Sequence, residues 1–323
     1  MRAKLKLQWF LVPLILTLYL SGFFLYKTAP VQVIAVRTTS HTTQASISFA
    51  PLRHVTKSLA ELDKMDEISK NFLFFNHVPK CGSEVLILLL QKMQGFNNFR
   101  HVRLKGGSKR KLNRLQQEEL VEEFYDILRK QPVRLSFDRH TYFVNFTSFD
   151  KQSPTYINLI RDPIDKIVSR SPGKNGKGSN EYYYKCLMKK KGDCNFKNGL
   201  SYDLSIPYFC GQDSRCMILN NDWALKTAKE NVQRYFEVVG VLEELNSTLE
   251  VLENKLPNFF KGVQKHYQTY LLSNFKNKKP IKVPNRIRKK LKDTLRTEYD
   301  FYDWIKGRLF GQLQILYGDH QSH

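Results

Sequence analysis

Phe72-Leu-Phe-Phe-Asn-His-Val-Pro-Lys-Cys-Gly-Ser-Glu-Val-Leu-Ile-Leu-Leu-Leu90 sets two apolar runs on either side of a tight polar turn. Phe72 to Phe75 reads as a buried strand. Val85 to Leu90, continuing into Gln91-Lys92-Met93, reads as a buried helix. Pro79, Lys80 and Gly82 mark the turn between them. A strand, a glycine-bearing turn and a helix N-terminus together present free backbone N–H groups to a phosphate. Lys80 adds a cation where an anion would sit. The stretch is not a Walker A loop, because G-x-x-x-x-G-K-[ST] occurs neither here nor elsewhere in the chain. The shorter Pro-Lys-x-Gly-Ser suits another phosphate ligand; an ordinary strand–turn–helix with a surface lysine would read the same way.

Around this stretch lie 323 residues, 41% of them hydrophobic, with 22 Phe. That is enough for one large domain or two small ones and a sizeable core. Lys and Arg number 52 against 30 Asp and Glu, a formal charge of +22. Such an excess points to a polyanionic partner: nucleic acid, an anionic membrane or an acidic polysaccharide.

The N-terminus decides among these by compartment. Arg2, Lys4 and Lys6 precede an uncharged apolar stretch from Trp9 to Tyr26, just long enough to cross a bilayer. Trp9 and Tyr26 stand where interfacial aromatics belong. The positive flank keeps residues 1–8 in the cytosol and makes 9–26 a signal anchor of type II topology. The competing reading is a cleaved signal peptide, against which Phe23-Phe24-Leu25 leaves no clear A-x-A site after Ser21-Gly22. Residues 27–70, rich in Thr, Ser, Ala and Val, read as a stem, and 71–323 as the luminal body. The five cysteines agree with a lumen. Their spacing pairs Cys186 with Cys194 and Cys210 with Cys216, leaving Cys81 free. Zinc is the rival reading, but no C-x-x-C occurs and no His lies between Cys186 and Cys216, so no metal site is expected. Asn145-Phe-Thr147 and Asn246-Ser-Thr248 are glycosylation sequons.

Along the body, basic Phe96–Leu112 reads as either a solvated connection or an anion-binding surface. Leu115–Leu128 has helical spacing. Val133–Phe137, Tyr142–Phe146 and Tyr156–Ile160 read as strands, with Asp138-Arg139-His140 a polar break between the first two. Arg161-Asp162-Pro163 opens a helix through Ile164 and Ile167 to Ser169, with Asp162 as N-cap and Pro163 at N1. Ser171–Ser179 reads as a flexible basic loop. Trp223–Val232 and Leu245–Leu256 are expected helices, Phe236–Val241 a strand, Lys276–Lys292 a second basic tract and Tyr299–Tyr317 a closing helix. Strands alternating with helices define an α/β class with a mostly parallel sheet.

Three stretches taken in order resemble the uronyl and heparan sulfate 2-O-sulfotransferases, and the Lys80-Cys81-Gly82-Ser83 loop is closest to their Pipe-like branch. Pro79-Lys-Cys-Gly-Ser-Glu-Val85 resembles the family's 5′-phosphosulfate loop. Tyr156-Ile-Asn-Leu-Ile-Arg-Asp-Pro-Ile-Asp-Lys-Ile-Val-Ser169 resembles its 3′-phosphate motif. Ile206-Pro-Tyr-Phe-Cys-Gly-Gln-Asp-Ser-Arg-Cys216 resembles its disulfide-bearing segment, and Val239-Gly-Val-Leu-Glu-Glu244 follows. The resemblance implies a P-loop-like sulfotransferase fold in a Golgi type II membrane protein, and suggests a homotrimer. It implies sulfuryl transfer from 3′-phosphoadenosine 5′-phosphosulfate (PAPS) to the 2-O of a hexuronic acid, in heparan sulfate or a related glycan. Lys80, Cys81, Gly82, Ser83, Glu84, Val85, Arg161 and Ser169 would then hold the donor.

Sulfuryl transfer needs a base for the attacking hydroxyl and a cation for the leaving phosphate. Lys80 suits the cation and His140 the base, since an imidazole titrates near working pH. In the heparan enzymes this region resembles His-x-His. The second His aligns with His140, while Asp138 replaces the first, where a carboxylate could only orient a neighbour. After Ser169 the family's aromatic and Arg-rich run gives way to Arg170-Ser-Pro-Gly-Lys-Asn-Gly-Lys-Gly, with Tyr182-Tyr-Tyr184 only later. These departures leave the acceptor open, and with it an alternative: a catalytically degenerate luminal protein that binds sulfated glycans. A nucleic-acid partner is not expected in that compartment.

Overall fold

The structure is a computed structural model and describes residues 67–106, 109–170, 203–272 and 283–320. The anchor at 9–26, nearly all of the stem, Cys186, Cys194, the Ser171–Ser179 loop and Tyr182–Tyr184 lie outside the described residues. Among the described residues no helix is long and apolar enough to cross a membrane.

Five strands form one sheet in the order β2-β3-β1-β4-β5, and every neighbouring pair is parallel. They are β1 (Ile68–Phe75), β2 (Phe99–Arg103), β3 (Arg134–Asp138), β4 (Ser153–Ile160) and β5 (Phe236–Val241). β1 starts at Ile68, ahead of the apolar run that announces it. The longer helices among the described residues are α1 (Ser83–Met93), α2 (Arg114–Lys130), α3 (Pro163–Arg170), α4 (Asp222–Tyr235), α5 (Leu245–Lys255), α6 (Asn285–Thr294) and α7 (Arg296–His320). From β1 the chain runs out to β2, returns to β3, then crosses to β4 on the opposite side of β1. The direction of winding therefore reverses beside β1, and in open α/β sheets ligands bind in the crevice at that reversal, outside the carboxyl ends of the strands.

The core accounts for the apolar strands. Phe74 of β1 packs its ring against Phe124 of α2 (5.8 Å between centroids), Phe146 (6.2 Å) and Tyr156 of β4 (5.3 Å). Phe124 in turn lies 3.9 Å from Phe137 of β3. Each of these rings is fully buried, and burying one such side chain contributes about 1.5–3 kcal/mol. α2 starts on a capping box, with Asn113 Oδ1 accepting from Gln116 N–H (2.9 Å) and Gln116 Oε1 accepting from Asn113 N–H (3.2 Å).

Two segments depart from the sequence reading. Tyr142–Phe146 is not a strand. Tyr142, Phe143, Val144 and Phe146 are all buried, but the segment is irregular, its Tyr142 N–H bonds the Arg110 carbonyl, and it ends in a 3-10 turn at Phe146–Phe149. Aromatic anchors under a sheet have the composition of a strand without its ladder. The basic tract Phe96–Leu112, conversely, contains the edge strand β2, whose Phe-Arg-His-Val-Arg is too short and too charged to announce itself.

Candidate active site

The site is assembled at the reversal crevice, and the quoted motifs meet there through backbone-directed hydrogen bonds. Asn76 follows β1. Its Nδ2 donates to the Tyr208 carbonyl (2.7 Å), in the disulfide-bearing segment. Its own carbonyl and Oδ1 both accept from Nδ2 of Asn158 in β4 (3.0 Å each). The disulfide Cys210–Cys216 is formed, with Cα atoms 5.7 Å apart, and braces that segment. The fourth stretch closes on the loop from the other side. The Leu242 side chain lies where a Cβ on Gly82 would fall, at 2.6 Å, and Glu243 Oε1 accepts the Asp162 N–H (3.1 Å).

Between Asn76 and α1 the chain makes a close loop. Lys80 (φ 61°) and Gly82 (φ 77°) both adopt the left-handed region, which only glycine enters without cost. Gly82 is the N-cap of α1 and offers no side-chain cap; its carbonyl accepts from the Val85 N–H (2.9 Å). Ser83 Oγ instead donates inward to the Val78 carbonyl (2.7 Å) and locks the turn. The side chains of Lys80 and Glu84 are exposed, while Cys81 and Val85 are buried. Burial pushes the Cys81 thiol up to about 12, against the partial relief that Lys166 gives. It is therefore an inert packing group. It is also the free cysteine that the spacing anticipates.

Arg161 leaves the end of β4 and folds over the loop. Its guanidinium reaches the Lys80 carbonyl (3.5 Å) and lies 3.9 Å from Glu243. Asp162 caps α3 as expected, accepting from Ile164 N–H and Asp165 N–H at 3.0 Å each. It is also held by Tyr299 and Arg288. Ser169 lies in the last turn of α3, its hydroxyl donating to the Lys166 carbonyl (2.7 Å).

On the other side of the loop, β3 ends in Asp138, 1% exposed. Three nitrogens crowd its carboxylate: His77 Nε2 (3.3 Å), His101 Nε2 of β2 (3.0 Å) and Arg103 Nε of β2, which donates to it (3.1 Å). Burial opposes its ionisation, but His101 and His77, with Arg103, hold the carboxyl well below the usual carboxylate range. His140, half-buried two residues on, places Nδ1 3.0 Å from the His77 carbonyl. A carbonyl only accepts, so Nδ1 carries the proton and Nε2 keeps the lone pair. Burial first, then the charge of His77, pushes the His140 imidazole down to about 4.

The crevice thus brings together Lys80, Arg161 and His140, and puts Ser169 on the helix that Arg161 leads into. Sequence reasoning missed His77, His101 and Arg103. His77 stands inside the opening stretch as one polar residue in a turn, and the other two alternate on the unrecognised edge strand. Their function depends on the β2–β3–β1 register, in which Arg103 and Phe75 flank Asp138.

The chain belongs to the sulfotransferase family, whose model matches residues 65–304. It is 33% identical over 255 residues to human uronyl 2-sulfotransferase, an overlap covering 72% of this chain and 61% of that protein. It is 32% identical over 288 residues to the Drosophila melanogaster uronyl 2-sulfotransferase homolog pip, covering 76% and 54%. Human heparan sulfate 2-O-sulfotransferase 1 is 26% identical over 269 residues, covering 78% and 74%. The chain therefore spans between half and two thirds of the length of its uronyl relatives.

Proposed function

We propose that the protein transfers a sulfuryl group from PAPS to a hexuronic acid hydroxyl of a glycosaminoglycan or glycoprotein glycan. The observation that carries this is the meeting, in one crevice, of a base with a fixed lone pair and a loop framed by two cations. The residues fit the donor. Gly82 leaves no Cβ over the loop, α1 opens on an N-cap without a side chain, and Arg161 lies across the Lys80 carbonyl. The N–H groups of Gly82 to Glu84 and the Lys80 ammonium would hold the 5′-phosphosulfate, the Val85 N–H being taken by the Gly82 carbonyl (2.9 Å); Arg161 and Ser169 would hold the 3′-phosphate.

In transfer, His140 Nε2 takes the proton of the acceptor hydroxyl as its oxygen bonds to sulfur. The bond from sulfur to the bridging phosphate oxygen breaks in line, and the electron pair leaves with the phosphate. Lys80 stabilises the charge that develops there. The neutrality of His140 suits this role, since it is unprotonated at any pH well above 4. Asp138, which replaces a His of the heparan enzymes, is engaged by His77, His101 and Arg103 rather than left in a gap, which favours a working site over a degenerate one.

The setting we propose is the Golgi lumen, with residues 9–26 as a type II anchor, possible trimers and glycosylation at the sequons. Of the two sequons, Asn246 is exposed at the start of α5, whereas Asn145 is half-buried with Oδ1 accepting from Thr147. Labelled-sulfate transfer from PAPS to a panel of desulfated heparan, dermatan and chondroitin chains tests the function. Disaccharide mapping should place the label on 2-O of the uronic acid. A folded protein that binds 3′-phosphoadenosine 5′-phosphate (PAP) but labels none of them would refute the reading.

A further inference from the structure

His77 and His101 both lie against Asp138, and each keeps one ring nitrogen without a hydrogen-bond partner: Nδ1 of His77, and Nε2 of His101, which stands 3.0 Å from the carboxylate. His101 is held by Nδ1 on Ser136 Oγ (2.8 Å), whereas His77, buried at 5% exposure, lies against His140. The His77 ring centroid lies 3.7 Å from that of His140 and 5.1 Å from that of Phe75, and its backbone carbonyl accepts the His140 Nδ1–H. The one residue that sets the tautomer of His140 is thus also its closest titratable neighbour.

A proton on His140 would face the His77 ring and Arg110, whose own partner is Asp203.

We propose that Asp138 and His77 form a positioning pair for His140: Asp138 anchors the His77 ring against the base, and the His77 carbonyl fixes the His140 lone pair. The inference rests on the reading of His140 as the base. It gives the departure at Asp138 a purpose, since a carboxylate there pins His77 Nε2 and holds that ring beside the base.

Nitrogen-15 NMR titration of the histidine rings in the folded protein tests this without requiring turnover. His77→Gln keeps a donor for Asp138 but removes the ring and its charge. In that variant the His140 titration, and the acid limb of kcat, should move towards neutral by about one pH unit. The plateau kcat should fall about tenfold while PAP affinity stays within about threefold. Asp138→Asn should move both in the same direction. Should Asp138→Asn not fold, His77→Gln decides alone. An unmoved His140 titration in folded His77→Gln overturns the pair whether or not sulfate is transferred. Absence of transfer with the His140 titration moved as stated overturns the transferase reading and leaves the pair standing.

Discussion

Arg161 and His140 approach the same crevice from opposite sides of β1, and their substitutions should separate binding from turnover. Arg161 is three-quarters buried, its side chain 26% exposed, and a charge-assisted contact from such a site is worth about 1.5–3 kcal/mol. Arg161→Ala should therefore weaken PAP binding roughly ten- to a hundredfold by calorimetry. Unchanged affinity in a folded variant would remove Arg161 from the donor site. His140→Ala should keep that affinity and lose about 10²–10⁴ in kcat. The wild-type kcat should rise with pH through a limb near 4, where His140 loses its proton. An unshifted histidine would put that limb near 6.5, as the sequence alone suggests. The difference comes from burial and from the His77 ring, both products of tertiary packing. A limb at the ordinary histidine value would show that His140 is more solvated than its surroundings here imply.

The strand–loop–helix unit of β1 and α1 gives predictions of a different kind, because its loop geometry is both structural and functional. Gly82→Ala places a Cβ 2.6 Å from Leu242 at a φ of +77°. The Leu242 methyls can yield, but the left-handed backbone costs about 1–2 kcal/mol for a residue with a Cβ. Melting temperature should drop by several degrees, and donor affinity should fall further than Arg161-independent stability loss explains, since the loop N–H groups move. A Gly82→Ala protein with wild-type melting and PAP affinity would show the loop to be less constrained than its dihedrals indicate. At this scale much was legible in the sequence. The apolar runs gave β1, β4 and β5, and Asp162-Pro163 gave the start of α3, because these signals are local. β2 was hidden since an edge strand needs little apolar surface, and Tyr142–Phe146 misled since burial and β-pairing select the same aromatic residues. The Asp138 network was invisible for a further reason: it draws on β1, β2 and β3, so it exists only once the register is set.

Charge acts on the molecule as a whole, first through stability. The Asp138 carboxyl is held below its unfolded value, so its contribution is present above about pH 4 and is lost as pH falls further. His140, at about 4 in the folded state against about 6.5 unfolded, makes stability decline already as pH drops through that interval. The unfolded chain takes up a proton there that the folded one does not. Thermal unfolding followed from pH 7 to 3 should show both stages, and His140→Ala should flatten the upper one; a wild-type curve flat down to pH 4 would contradict the shift.

The second effect is on the acceptor. With a net charge of +22, the protein attracts polyanions at distances that salt shortens, the Debye length being about 10 Å at 0.1 M. The cations are not spread evenly around the crevice. Arg103, Lys105 and Lys109 are exposed and follow the carboxyl end of β2, on the side of the sheet that carries His140. Arg103 is split between two roles, its Nε on Asp138 and its side chain 65% exposed. A glycan chain entering towards His140 would pass this tract and release counterions as it binds. Its KM should then rise roughly ten- to a hundredfold between 50 and 200 mM salt, by analogy with other polyanions that displace a few ions. The Kd of PAP, a small ligand held by short contacts inside the crevice, should change far less. Lys105→Ala with Lys109→Ala should raise KM at low salt and reduce the slope of log KM against log salt, leaving kcat at saturating acceptor unchanged. A slope identical to wild type in that double variant would move the acceptor path to another face of the molecule.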